Sequence, residues 1–182
     1  MTARSGSVAI VHPSLALCNT VGPDRDDLET CECLAHWYVA AGLADDPPDV
    51  NSRDLAAVRA LRDGMRTALL EADAPGVARL AEEWLEGAPG CLCVDSATLE
   101  PRFTPADSTP RCLMVAAVLD ALALARDARG RVRACAAPDC GALYVDSSRN
   151  GIRRWCSMER CGARAKASAY YRRHRRENTA GD

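Results

Sequence analysis

The sequence predicts a mainly α-helical protein: a helical N-terminal domain with a short β-hairpin, followed by a small C-terminal finger that ends in a basic helix. Three observations support this fold class. Apolar residues recur at spacings of three and four along much of the N-terminal part. Four cysteines form two evenly spaced pairs near the C-terminus, and more than half of the arginines lie in that same part. We place the domain boundary so that residues 1–128 form the helical domain and residues 129–182 form the finger.

The helices of the N-terminal domain are indicated by their apolar faces and by the residues at their ends. Residues 26–42 carry apolar side chains on one face and stop at a glycine. Asn51 or Ser52 is suited to cap a second helix, which ends near residue 75, where a proline and a glycine follow each other. A third, shorter helix over residues 77–85 completes this group.

Two short strands and a long helix are predicted next. Residues 91–94 and 98–103 are β-like pieces on either side of a polar turn, which predicts a hairpin. Ser108 or Thr109, followed by Pro110, predicts the start of a helix that runs to Arg126. We expect its inward face to carry six apolar residues: Cys112, Val115, Ala116, Leu119, Leu122 and Ala123.

The C-terminal cysteines have the spacing of a metal site. Cys135 and Cys140 form one CxxxxC pair, Cys156 and Cys161 form a second, and 15 residues separate the two pairs. Four thiolates around one ion make the closed tetrahedral site that is typical of structural zinc, with no position left for water. The sequence therefore predicts one structural Zn²⁺ held by these four cysteines.

The segment around the cysteine pairs predicts the shape of the finger. Residues 143–145 and 152–155 are predicted strands of a hairpin that reverses near Asn150 and Gly151, a favoured hairpin dipeptide. The second cysteine pair runs into a helix from Cys161 to about residue 175, which gives a treble-clef or zinc-ribbon-like order. So short a segment buries little core, so the metal would supply folding free energy on the order of 10 kcal/mol. We expect the loss of one ligand to unfold the finger and to leave the helical domain largely intact.

The other six cysteines show no disulfide framework, and we expect none of them to form a structural disulfide. Cys31 with Cys33 and Cys91 with Cys93 are candidate sensor thiols, for redox chemistry or for a second, softer metal. The alternative is that they are small buried hydrophobic residues. If Cys31 and Cys33 lie on a helix, their thiols point in different directions and do not bind one ion without local unwinding.

Charge is divided sharply along the chain. Residues 1–125 hold 9 basic and 19 acidic residues, whereas residues 126–182 hold 14 basic and 6 acidic residues. A basic finger joined to an acidic body suggests contact with a polyanion, and arginine suits phosphates and guanine edges. The alternative is a solvated charged tail. The candidate nucleic-acid-binding residues are Arg149, Arg153, Arg154, Arg160, Arg164, Lys166, Arg172, Arg173, Arg175 and Arg176.

Several motifs are similar to known families. In the finger they are the four paired cysteines, Tyr144, Asp146, Ser148, Arg149 and the segments 153–158 and 161–166. These residues resemble the CGNR zinc finger, which is named for its Cys-Gly-Asn-Arg motif. In the helical domain, residues 15–20, 34–37, 41–43 and 61–62 resemble an ABATE-type domain, described as a putative stress-induced transcription regulator.

The resemblance implies a DNA-binding bacterial transcriptional regulator with an ABATE-like regulatory domain at residues 1–128. One position departs from the pattern, because Ala163 stands where the family motif has asparagine. We expect any contact that this asparagine makes in relatives to be lost here. The four zinc ligands are unaffected.

Three classes of function follow from these observations. The leading one is a zinc-dependent regulator whose finger binds double-stranded DNA while the helical domain senses a small-molecule effector or forms a homodimer. The alternative is an RNA- or protein-binding finger, or a thiol or metal sensor. An enzyme is not expected, since no catalytic motif or set of acid, base and nucleophile is present. With no membrane span and no signal peptide core, we expect a cytoplasmic protein that does not bind membranes.

Overall fold

The computed structural model describes residues 12–94, 96–97, 101–128, 130–168 and 170–171. These residues form five α-helices and three two-stranded antiparallel sheets. The elements are α1 (Pro13–Cys18), β1 (Val21–Gly22), β2 (Arg25–Asp26), α2 (Cys31–Ala40), α3 (Ser52–Glu71), α4 (Ala74–Leu85), β3 (Gly90–Val94), β4 (Pro101–Pro105), α5 (Pro110–Asp127), β5 (Val132–Ala134) and β6 (Leu143–Val145). A π-helical turn, Met158–Gly162, continues into α-helical residues 163–168. The mainly helical fold with small hairpins and a C-terminal cysteine finger is confirmed.

Two of the five α-helices begin after a predicted cap, Asn51 for α3 and Thr109 for α5. The predicted end of α3 at Pro75-Gly76 is wrong, because α3 ends at Glu71 and these two residues lie in the first turn of α4. Asn51 caps α3 with a capping box, in which its side chain accepts from the backbone of Asp54 and the Asp54 carboxylate accepts from the backbone N–H of Asn51. The predicted start of α2 at residue 26 is wrong, and the helix begins at Cys31. Thr30 caps it by accepting a 3.1 Å hydrogen bond from the backbone of Cys33, while Asp26 is part of β2.

Helix α5 is present as predicted, but its predicted inward face is rotated. Cys112 and Val115 are buried, whereas Ala116 is exposed and Leu119 is only partly buried. The helix is apolar on nearly every side, so periodicity did not select one face. The other residues that it buries deeply are Leu113, Met114, Ala117, Val118, Ala121 and Leu124.

The strand pairing agrees with the sequence in the body and differs in the finger. β3 and β4 form the predicted hairpin, and β4 runs from Pro101 to Pro105 rather than over 98–103. The predicted pairing of residues 143–145 with 152–155 is wrong, because β6 pairs with β5, with Leu143 opposite Ala134. Side chains instead hold residues 152–155 beside β6. The Tyr144 hydroxyl donates to the carbonyl of Arg153, whose backbone N–H donates to Asp146 (3.0 Å).

The finger and the helical body share one hydrophobic core. Val132 and Leu143, on the two strands of the finger hairpin, are buried in the same cluster as the helices. The side-chain amide of Asn19 pairs with both backbone groups of Leu143, accepting from its N–H (2.6 Å) and donating to its carbonyl (3.0 Å). Arg66 of α3 donates to the carbonyl oxygens of Cys18 (3.1 Å) and Gly141 (2.6 Å). The first strand pair of the finger is therefore built into the body.

The body is also held by a buried ion pair under the β1–β2 turn. The Arg62 guanidinium, on α3, is only 4% exposed and contacts the Asp26 carboxylate at 2.6 Å. This hydrogen bond holds the pKa of Asp26 below its ordinary value. None of the helices in the described ranges is long and apolar enough to cross a membrane.

Candidate metal centre and nucleic-acid surface

The four finger cysteines meet at one point, as predicted. The Sγ atoms of Cys135, Cys140, Cys156 and Cys161 all lie within 4.8 Å of one another. The Sγ atom of Cys156 is 3.7 Å from those of both Cys140 and Cys161. Four sulfur atoms placed tetrahedrally at about 2.3 Å from one ion are about 3.8 Å apart, whereas a disulfide bond is about 2.05 Å long. The thiols therefore have the separation of a tetrahedral zinc site and are not disulfide-bonded.

Local backbone structure places each pair. Cys135 follows β5, and its N–H donates to the carbonyl of Ala142 (2.8 Å), which folds the first knuckle back on itself. Gly141 completes this knuckle with φ +61°, a conformation that favours glycine. Cys161 lies in the first turn of the finger helix, where Ser157 accepts from the backbone of Arg160 (3.2 Å). One pair is thus fixed by a knuckle and the other by a helix start.

Burial and a neighbouring guanidinium shift the pKa values of two of the four thiols in opposite directions. Burial raises the pKa of Cys156 to about 12. The Arg164 guanidinium donates to the Sγ of Cys161 (3.5 Å) and lowers the pKa of that thiol. A metal ion binds the thiolate form, so binding releases protons and requires all four sulfur atoms to converge. Zinc here would cross-link the knuckle to the helix start.

A buried carboxylate organises the loop between the two pairs. The Asp146 side chain is fully buried and accepts from the N–H (2.9 Å) and the hydroxyl (2.6 Å) of Ser148 and from the N–H of Arg153 (3.0 Å). The hydrogen bond from the Ser148 hydroxyl is the main cause that lowers the pKa of Asp146. Asp146 therefore ties the end of β6 to the segment that carries Cys156.

The comparisons with known proteins agree with this arrangement. Residues 11–128 match the ABATE family model, described as "Putative stress-induced transcription regulator". The chain belongs to the ABATE family. Residues 131–174 of this ABATE protein match the CGNR zinc finger model, which covers all four converging cysteines. A search of curated proteins found no match. The ABATE chain thus carries a CGNR zinc finger with one structural zinc site.

The predicted nucleic-acid-binding residues fall into three groups. Arg153 and Arg164 make contacts within the finger: Arg153 donates to the carbonyl oxygens of Trp155 (2.8 Å) and Cys156, and Arg164 pairs with Asp139 and Cys161. Four others are exposed, and among the residues described no carboxylate pairs with them; they are Arg149, Arg154, Arg160 and Lys166. Arg172, Arg173, Arg175 and Arg176 lie outside the described residues.

Two clefts lie beside the zinc site of the ABATE protein. A cleft of about 590 Å³ is lined by the first knuckle and by Arg154, Trp155 and Tyr171. A second, of about 440 Å³, lies between the finger and the β1–β2 turn and is lined by Arg25, Arg160 and other polar groups. Arg154 and Arg160 therefore open onto different clefts beside the metal centre.

The candidate sensor thiols do not behave alike. Cys31 and Cys33 lie in the first turn of α2, and no contact joins their sulfur atoms. Cys91 and Cys93 lie on β3, are both exposed, and have Sγ atoms 3.6 Å apart. Only the second pair is brought together.

Sequence reasoning missed Asn19 and Arg66, which join finger and body, and Asp146, which holds the finger together. Asn19 and Asp146 lay inside the motifs that carried the family resemblance, but neither was assigned a role. Their signal was chemical: a short amide or carboxylate side chain in an otherwise apolar or basic segment often bonds to nearby backbone. Arg66 had no distinguishing signal in the sequence.

Proposed function

We propose that the protein is a zinc-dependent transcriptional regulator whose finger binds double-stranded DNA in the cytoplasm. The observation that supports it best is a set of exposed cations that pair with no carboxylate of the described residues, on a finger held by four converging cysteines. These cations are Arg149, Arg154, Arg160 and Lys166. Such cations neutralise phosphates, and a rigid scaffold fixes their spacing before DNA is met. The description of the ABATE family as a regulator supports the same function.

The contacts of the arginines support a division of their roles. Arg153 and Arg164 hold backbone carbonyls, a zinc-ligand sulfur and Asp139. We therefore assign them to positioning the finger. Arg154 and Arg160 are free to contact DNA, and Arg154 lies 5.3 Å above the Trp155 ring, which limits the directions it samples. Arg154 is the best placed of these residues to read a base edge.

The salt dependence of binding gives a quantitative test. Each phosphate neutralised contributes about −0.9 to the slope of log affinity against log salt, so four contacts predict a slope of about −3.6. Zinc-loaded protein would first select sequences from random duplex DNA. Fluorescence anisotropy would then measure affinity for the selected duplex over a series of salt concentrations.

Matched arginine variants locate the interface. Arg154→Ala and Arg160→Ala should each weaken binding and reduce the magnitude of the slope by about 1. Arg53→Ala is the control, because Arg53 is an exposed arginine on α3 of the body. A slope near zero, or equal effects of Arg53→Ala and Arg154→Ala, would contradict the proposal.

A second candidate is binding of single-stranded RNA. Trp155 and Tyr171 line the same cleft as Arg154, and aromatic side chains stack on unpaired bases. If RNA is the ligand, Tyr171→Ala should weaken binding to a single-stranded RNA more than to the selected duplex. An equal effect on both would leave duplex DNA as the ligand.

For the regulatory part, we propose that a small apolar effector binds where body and finger meet. A cleft of about 380 Å³ is lined by Leu69, Leu124, Ala125 and Val132, which lie on α3, α5 and β5. A ligand there would contact both parts of the protein. Compounds that raise the melting temperature of the wild-type protein should fail to do so with Ala125→Phe, which fills the cleft. Size-exclusion chromatography with and without such a compound would show whether the effector drives homodimer formation.

A further inference from the structure

The β3–β4 hairpin presents two thiols to solvent on one face. Cys91 and Cys93 are separated by one residue on β3, and side chains two apart in a strand point to the same side. Their Sγ atoms are 3.6 Å apart, and Thr104 on β4 donates to Cys93 at 3.8 Å. The pairing extends to the base of the hairpin, where the N–H of Ala106 donates to the carbonyl of Pro89 (3.0 Å). The pairing of the strands therefore holds the two sulfur atoms close together.

The separation suits chelation of a soft ion. Two sulfur atoms 3.6 Å apart that each lie about 2.3 Å from one centre subtend an angle of about 103° at it, close to tetrahedral. No backbone movement is needed to reach this geometry. Thiolates prefer soft, thiophilic acceptors over hard cations.

Disulfide formation fits the same pair poorly. At about 3.3 Å of rise per residue, the two Cα atoms are about 6.6 Å apart, near the upper limit of about 6.8 Å for a disulfide. Closing the bond would therefore bend the strand. The neighbouring Cys93 thiol also raises the pKa of Cys91, which disfavours the thiolate that reacts with peroxides.

We propose that Cys91 and Cys93 form a two-thiol site that chelates thiophilic metalloids and soft metal ions, with trivalent arsenic as its representative ligand. The site lies on the body hairpin, apart from the four zinc ligands, so it stands independently of DNA binding. With an organoarsenic(III) oxide, two As–S bonds form and the As–O bond is lost. Both thiol protons leave in one water molecule, and arsenic remains trivalent, so no oxidant is required.

The chain contains its own matched control. Cys31 and Cys33 have the same CxC spacing but lie on α2. Two residues separated by one other residue are about 200° apart around an α-helix. No contact joins their sulfur atoms. A reagent that recognises only the CxC spacing would therefore treat both pairs alike, whereas a reagent that needs two adjacent thiols would not.

The experiment treats full-length, zinc-loaded protein with phenylarsine oxide, and then washes it with a monothiol. We expect one phenylarsenic adduct by intact mass, resistant to the monothiol and released by 2,3-dimercaptopropanol. Cys91→Ser and Cys93→Ser should each abolish the resistant adduct, and the double variant Cys31→Ser/Cys33→Ser should retain it. Both target residues are exposed, and zinc content together with circular dichroism would verify that the variants are folded.

Three results would overturn the proposal. The first is a resistant adduct that persists in Cys91→Ser and Cys93→Ser, which would place arsenic on other thiols, such as those of the finger. The second is the absence of any resistant adduct on the wild-type protein. The third is loss of the adduct in the Cys31→Ser/Cys33→Ser variant.

Discussion

Loss of the zinc site should destabilise the helical body as well as the finger. The perturbation is Cys156→Ser, which removes one of four ligands. The finger hairpin places Val132 (5% exposed) and Leu143 (2% exposed) in the core that the helices share. The sequence alone suggested that such a change would spare the body, and the shared core predicts otherwise.

The magnitude follows from the contacts that the hairpin makes with the body. Burial of Val132 and Leu143 contributes about 1.5–3 kcal/mol each. The two hydrogen bonds with Asn19 and the one from Arg66 to Gly141 contribute about 1 kcal/mol each. Complete undocking would thus cost the body about 6–9 kcal/mol, comparable to a typical total stability of about 5–15 kcal/mol.

The assay is thermal unfolding followed by far-UV circular dichroism, a signal that comes mainly from the body helices. At about 2–4 °C per kcal/mol for a chain of this size, even half of the undocking cost would lower the melting temperature by about 10 °C. Cys33→Ser, which changes an exposed thiol on α2, is the control and should melt like the wild type. If Cys156→Ser melts at the wild-type temperature, the hairpin remains docked without zinc and the reasoning is refuted.

Three further substitutions test single contacts by urea unfolding and metal titration. Asp26→Asn should cost about 1–3 kcal/mol, because it removes the charge that pairs with two nitrogens of the buried Arg62 guanidinium and leaves Asp63 to pair with its Nε alone. Since the pKa of Asp26 is lowered on folding, the wild type should lose this stabilisation as pH falls below about 4, and the variant should show a flatter pH profile. Asp146→Ala should weaken zinc affinity about 10-fold or more, because Ser148 and the N–H of Arg153 lose their acceptor, and unchanged affinity would contradict that role. Asn19→Ala should cost about 2–4 kcal/mol by leaving two backbone groups of β6 unpaired; a loss below about 1 kcal/mol would show that water replaces the amide.

Features governed by local chemistry were predictable from the sequence. Asn51 caps α3 because an amide followed three residues later by Asp54 satisfies free backbone groups within one turn. The four cysteines likewise converge because paired spacing on a knuckle and a helix start leaves few other arrangements. In each case the determining residues are close together in the chain.

Features governed by long-range packing were not predictable in the same way. The face that α5 buries depends on neighbours far away in sequence, and Asp120 on that helix pairs with Ser14 and His12 of the N-terminal segment rather than facing open solvent. The sequence predicts the wrong partner for β6. The chain does turn at Asn150-Gly151, with Gly151 at φ +63°, but β6 ends at Val145, just before Asp146, and does not reach that turn. Arginine roles were hidden because phosphate-binding and structural arginines look the same in a sequence.

The two hydrogen bonds between the Asn19 amide and the backbone of Leu143 affect the order in which the chain folds during its synthesis. Asn19 and Leu143 are 124 residues apart, so the Asn19 amide gains its partners only after 124 further residues have been made. Contacts of such sequence separation form late and slow the folding of a domain. Until Leu143 leaves the ribosome, the nascent helices keep part of their apolar surface open to solvent and to chaperones. Metal uptake by the finger and completion of the body are therefore close in time during translation.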